Sequence, residues 1–64
     1  MRINRLKLVT EMVRQDLTQK QLAEKAGISR ATVNAVRCGR SCSDISAIKI
    51  ADALGVQIED LLEN

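Results

Sequence analysis

Residues 19–38 read QKQLAEKAGISRATVNAVRC, and this stretch decides the fold. Two short helical patterns, 19–26 and 30–37, are joined by a turn so brief that the helices must cross closely. Such a crossing needs a small residue where the backbones approach, and Ala23 supplies it. It needs a residue that tolerates positive φ in the turn, and Gly27 is one. It also needs apolar side chains at the contact. Leu22, Ala26, Ile28, Val33 and Val36 fall at spacings that turn them inward as core. The helix punctuation agrees. Thr18 opens a capping box with Gln21, Ser29 is placed to cap the second helix of the pair, and Gly39 stops it.

Outward from this pair, the remaining pattern is helical as well. Residues 3–15 form an amphipathic helix with Leu6, Leu8, Val9, Met12 and Val13 on a broad apolar stripe, after which Leu17 turns to the core. A loop covers 40–42. Ser43 then starts a helix over 44–54 with Ala47, Ile50, Ala51 and Leu54 on one face, ended by Gly55. A last short helix, 58–63, presents Ile58, Leu61 and Leu62. No segment alternates apolar and polar residues as a half-buried strand would. The expectation is an all-α fold of five helices in a single domain, 1–64. The chain has no Trp, Tyr, Phe or Pro, so its core must be aliphatic. A chain of 64 residues buries roughly 60% of its unfolded surface, which allows only modest stability.

Charge is distributed unevenly. Residues 1–43 carry nine Lys or Arg against three acids, a net +6, whereas residues 44–64 carry one base against five acids, a net −4. Such polarity can turn a basic face to phosphate and keep the acidic end away from it. Charge alone does not decide this, since basic runs are often only solvated surface. No run of about 18 apolar residues is present, so no membrane span is expected, and the first ten residues lack the apolar core of a secretory signal. Cys38 and Cys42 form a lone C-x3-C pair with no histidine anywhere, too few ligands for a structural metal. Both are expected to be reduced thiols in a cytoplasmic protein, Cys42 filling a small apolar slot and Cys38 near the surface. Without histidine, metal cluster or a nucleophile beside a base, neither cofactor nor catalysis is expected.

The segments TQKQLAEKAGISRATV, SDISAIKIADALGV and IEDLL together resemble the Cro and phage-repressor proteins, the XRE helix-turn-helix family, over nearly the whole chain. The resemblance implies a lambda-repressor-like domain in which the third helix enters the DNA major groove. Two positions depart from the common pattern: Arg37 stands where members often carry an acid, and Cys42 where many carry Pro. On this reading Arg30, Ala31, Thr32, Asn34 and Ala35 face base edges. In an ordinary helical bundle the same five would be plain surface. Arg30 has the fork that pairs with O6 and N7 of guanine, and Ala31 and Ala35 offer methyl contacts suited to thymine. Gln19 matches the family's phosphate-clamping glutamine at a helix N-terminus. Ser29, besides capping, joins Arg37, Arg40 and Ser41 in gripping phosphates, which set register while the bases choose sequence.

The implied function is a DNA-binding transcriptional regulator, a repressor, acting on double-stranded DNA as a homodimer. Leu61 and Leu62 are the expected dimer surface unless the monomer core consumes them. No effector domain is expected within these 64 residues. The rival reading is an antitoxin or adaptor on the same fold, with a toxin or co-regulator as protein partner. It would call for an extra tail or an exposed apolar strip.

Overall fold

The computed structural model describes residues 2–62. Among these, four α-helices precede one short 3₁₀ turn: α1 (Arg5–Arg14), α2 (Gln19–Ala26), α3 (Arg30–Arg37), α4 (Asp44–Leu54) and the 3₁₀ turn Ile58–Asp60. α2 packs against both α3 and α4, α1 packs on α3, and the 3₁₀ turn packs on α4. One aliphatic core joins them, with Leu8, Leu22, Val33, Val36 and Ile50 fully buried at its middle. Ala26, Ile28 and Cys42 are partly buried against its edge.

Each helix begins at a residue whose side chain replaces a missing backbone partner. The Asn4 Oδ1 accepts from the backbone N–H groups of Leu6 and Lys7, 2.9 and 3.1 Å away. Thr18 and Gln21 form the reciprocal capping box, the Gln21 Oε1 accepting from the Thr18 backbone N–H at 2.9 Å. Ser29 and Ser43 cap α3 and α4 by accepting from Thr32 N–H and Ser46 N–H. The ends repeat one device. Gly27 takes a left-handed conformation at φ 72, and the Ile28 N–H turns back to the Ala23 carbonyl at 3.0 Å. α1 ends the same way around Asp16, at φ 55, with the Leu17 N–H on the Met12 carbonyl. An acidic residue tolerates that region better than most side chains.

Three expectations are corrected. The first helix starts at Arg5 rather than near residue 3, because Ile3 is tied elsewhere: it forms an antiparallel bridge with Leu62, and the Asn4 N–H donates to the Leu61 carbonyl at 2.7 Å. Ile3 is fully buried as a result. The apolar stripe of α1 is narrower than expected. Leu8 and Met12 are buried, Val9 is half-buried, and Leu6 and Val13 are 71% and 72% exposed. In place of the fifth α-helix, 58–63, there is a single 3₁₀ turn, since Leu61 is drawn into the core directly after it. The last residue of that expected helix, Glu63, lies outside the described residues. Among the described residues, no helix is long and apolar enough to cross a membrane.

Candidate nucleic-acid interface

α3 is held by two of its residues and presents the others. Val33 and Val36 are fully buried, which fixes the rotation of the helix about its axis. That rotation leaves Arg30, Ala31, Asn34 and Arg37 exposed and Thr32 and Ala35 half-buried, so all five expected base-facing residues reach the surface of one helix. Thr32 is the most committed of them. Its hydroxyl lies 2.9 Å from the Ser29 Oγ, and its backbone N–H donates to the same Oγ at 3.1 Å. Ser29 thus fulfils its capping role, and its exposed position at the start of α3 leaves it open on the outer side.

The expected phosphate-gripping residues lie on two sides of this helix. Gln19, half-buried in the first turn of α2, lines one cleft together with Val9, Val13, Thr18 and Arg37. The structure therefore brings Gln19 and Arg37 together, although they are far apart in sequence. At the other side, Ser41 shares a shallow groove with Ala31, Thr32 and Ala35, lined across from them by Cys42, Ser43 and Ser46. Arg40 is exposed, and its backbone N–H is anchored on the Ala35 carbonyl at 3.0 Å. Gly39, at φ 89, makes the reversal that allows this bond.

Two basic residues at this surface were not expected. Arg5 lines the groove beside Asn34, Arg37 and Cys38. Arg2 places both its Nε and its Nη2 on the Gly39 carbonyl, at 3.2 and 2.9 Å. The only sequence signal for either was the basic balance of the first 43 residues, since their contacts are made across a wide separation in the chain.

Leu61, expected at a dimer surface unless the monomer core consumed it, is taken up by that core. It is fully buried by the bridge at Ile3 and by the core, leaving no side chain to offer a partner. Leu62 is half-buried. Ile45 and Ile48 on α4 join Leu6 and Val13 as exposed large apolar side chains. Cys38 is exposed and Cys42 half-buried, neither in a disulfide, and burial pushes the Cys42 thiol above its ordinary pKa. Among the described residues, no group of three or more His, Cys, Asp or Glu is gathered closely enough to hold a metal ion.

The helix-turn-helix family profile matches residues 10–61. An uncharacterized HTH-type transcriptional regulator of Methanocaldococcus jannaschii is 45% identical over 47 residues, covering 72% of this chain and 71% of that protein. Among solved structures, a point variant of hydroxyethylphosphonate dioxygenase superposes on the whole chain with a TM-score of 0.89 at 26% identity. Native PhpD with cadmium atoms does so with a TM-score of 0.86, also at 26% identity. This chain spans only 14% of the length of each of those two proteins, and the dioxygenase activity named for the first is a property of the longer chain. The profile match over most of the sequence, on a helix pair capped and crossed as described, makes this chain a member of the XRE family of Cro/C1-type helix-turn-helix proteins.

Proposed function

We propose that this protein is a sequence-specific DNA-binding transcriptional regulator, a repressor, that seats α3 in the major groove of a two-fold operator as a homodimer. One observation carries the reading: Val33 and Val36 lock α3 so that Arg30, Ala31, Asn34 and Ala35 reach the surface together, between two sets of basic and capping residues. Arg30, in the first turn, pairs its guanidinium with guanine O6 and N7, and Ala31 and Ala35 meet thymine methyls. Asn34 reaches a base edge further along. Thr32 contributes its methyl more than its hydroxyl, because the hydroxyl is shared with Ser29. Gln19 and Arg37 clamp one phosphate track, and Ser29, Arg40 and Ser41 the other. The chain has no catalytic part in this account.

The homodimer follows from the size of the reading surface. One eight-residue helix covers only a few base pairs, so specificity calls for two copies about one helical turn apart. Leu62, half-exposed beside the termini, is the surviving member of the expected dimer pair.

The experiment is a mobility shift against DNA upstream of the protein's own gene, with and without unlabelled competitor, across a salt series. With four to five phosphates neutralised per protomer, log K should fall against log salt with a slope near −4. A flat salt response, or binding only to a co-purified protein, would replace this reading with the adaptor or antitoxin one, for which the exposed Leu6, Val13, Ile45 and Ile48 would supply the surface.

A further inference from the structure

We infer that Arg2 is a positioning residue for DNA binding: it holds the loop after α3 so that Arg40 is presented to a phosphate. The inference rests on the DNA-binding reading above and assigns a part to a residue that the reading leaves unused.

A chain of contacts runs from the N-terminal segment beginning at Arg2 to the turn that ends α3. Ile3 is buried and bridged to Leu62, and the Asn4 N–H is bonded to the Leu61 carbonyl, so the backbone that follows Arg2 is fixed. Lys7 adds a third tie, its Nζ donating to the Leu62 carbonyl at 3.2 Å. From this anchored base Arg2 reaches across 37 positions of sequence and donates twice to a single acceptor, the Gly39 carbonyl. That carbonyl belongs to the left-handed residue that reverses the chain, and the next residue is Arg40. The Arg5 Cδ lies 3.9 Å from where a Cβ on Gly39 would stand, so a second N-terminal arginine packs on the same reversal.

The physical consequence is local. The C-terminal carbonyls of a helix and its following turn carry partial negative charge, and a guanidinium fork satisfies them better than water does, without the rotational freedom of an ammonium. Gly39 has the widest backbone freedom of any residue type, so an unheld Gly39 would let the loop sample other paths. With Arg2 in place, the Arg40 N–H stays on the Ala35 carbonyl and its side chain leaves the surface from a fixed point beside Ala35. Arg2 spends its fork on protein rather than on DNA, which makes its effect on affinity conditional on Arg40.

That conditional effect is the test. Binding to a mixed-sequence 20-base-pair duplex is measured by fluorescence polarisation for the wild type, Arg2→Ala, Arg40→Ala and the double variant, because phosphate contacts do not depend on sequence. Arg2→Ala should weaken binding about fivefold in the wild-type background and less than twofold in the Arg40→Ala background. Arg2→Lys, which keeps the charge but lacks the fork, should recover less than half of the loss on a logarithmic scale. In the free protein, hydrogen exchange at the Arg40 amide should quicken in Arg2→Ala while amides in the α4 core keep their rates. Melting curves establish that each variant is folded at the assay temperature. Equal losses from Arg2→Ala in both backgrounds, or full rescue by Lys, would make Arg2 an independent phosphate contact and overturn the inference. Unchanged exchange at Arg40 would overturn it as well. If the wild type binds no duplex, the DNA-binding reading falls, and the exchange measurement alone then says whether Arg2 holds the loop.

Discussion

Ser29 has two duties in this account, and an aspartate separates them. Its Oγ accepts from the Thr32 N–H at 3.1 Å and lies 2.9 Å from the Thr32 hydroxyl, so Ser29→Ala removes a helix cap together with a side-chain bond. Losing such a cap costs about 1 kcal/mol, within a range of roughly 0.5–2. A domain of 64 residues has a total stability of about 3–10 kcal/mol, so the change is a sizeable fraction of it. At this chain length it should lower the melting temperature by about 4–8 °C per kcal/mol. Ser29→Asp should behave otherwise. Aspartate caps as well as serine, and its charge at the N-terminus of α3 is favourable by a few tenths of a kcal/mol, so the variant should melt at or slightly above the wild type. Its carboxylate would nevertheless stand where a phosphate is expected. At a separation of about 6 Å and an effective dielectric between that of water and that of a protein surface, the repulsion is about 1–3 kcal/mol, a loss of roughly 5- to 100-fold in DNA affinity. Calorimetry and a salt-controlled binding titration on the same three proteins give both numbers. The reasoning is refuted if Ser29→Asp melts like Ser29→Ala, or if it is well capped and still binds DNA like the wild type.

Other consequences are simpler. Val33→Asp would bury an unpaired carboxylate in the aliphatic core, and no folded fraction should be detectable by circular dichroism at 25 °C. Gly27→Ala meets no atom within 4 Å of the new Cβ, so its cost is that of the left-handed backbone alone, about 1–2 kcal/mol by urea unfolding. Asp16→Gly at the matching end of α1 should instead stabilise, by up to about 1 kcal/mol. For Cys42, burial is the main cause of the raised pKa, with the Asp44 carboxylate adding to it. The fold therefore favours the neutral thiol. Its contribution to stability is full below the unfolded thiol's ionisation and declines as pH climbs from there through the folded value. Cys42→Ala should flatten that alkaline decline in a pH series of unfolding curves, and Cys38, being exposed, should be alkylated first at pH 8.

What could be read from sequence was what is decided locally. The limits of α2, α3 and α4 follow from capping hydroxyls at Thr18, Ser29 and Ser43 and from glycines that tolerate a left-handed turn, all within a few residues of the helix they bound. The set of side chains displayed by α3 follows from the same local periodicity, once Val33 and Val36 are taken as core. The misreadings share a different cause. Ile3 looks like the first turn of α1 until its partner at Leu62 is known, and Leu61 looks like a free apolar residue until that bridge covers it. Leu6 and Val13 fit a helical stripe, but the face of α1 that meets the core is narrower than the stripe. Arg2 and Arg5 gave no local signal, because what they touch is the turn at Gly39.

The central claim is that α3 reads bases in the major groove, and the most direct measurement is selection from a random duplex library by the wild type and by Arg30→Ala. The account predicts that the wild type enriches a two-fold motif whose half-sites lie about one helical turn apart, each with a preferred guanine. Arg30→Ala should relax the preference at that guanine alone, weaken binding to the selected site by about 1–3 kcal/mol, and leave affinity for mixed-sequence DNA much less affected. Arg40→Ala, run beside it, should weaken selected and mixed DNA alike and lower the salt slope by about one. Contradiction would come from the absence of any enriched motif, or from an Arg30→Ala protein that enriches the unaltered motif and binds both DNAs equally less well.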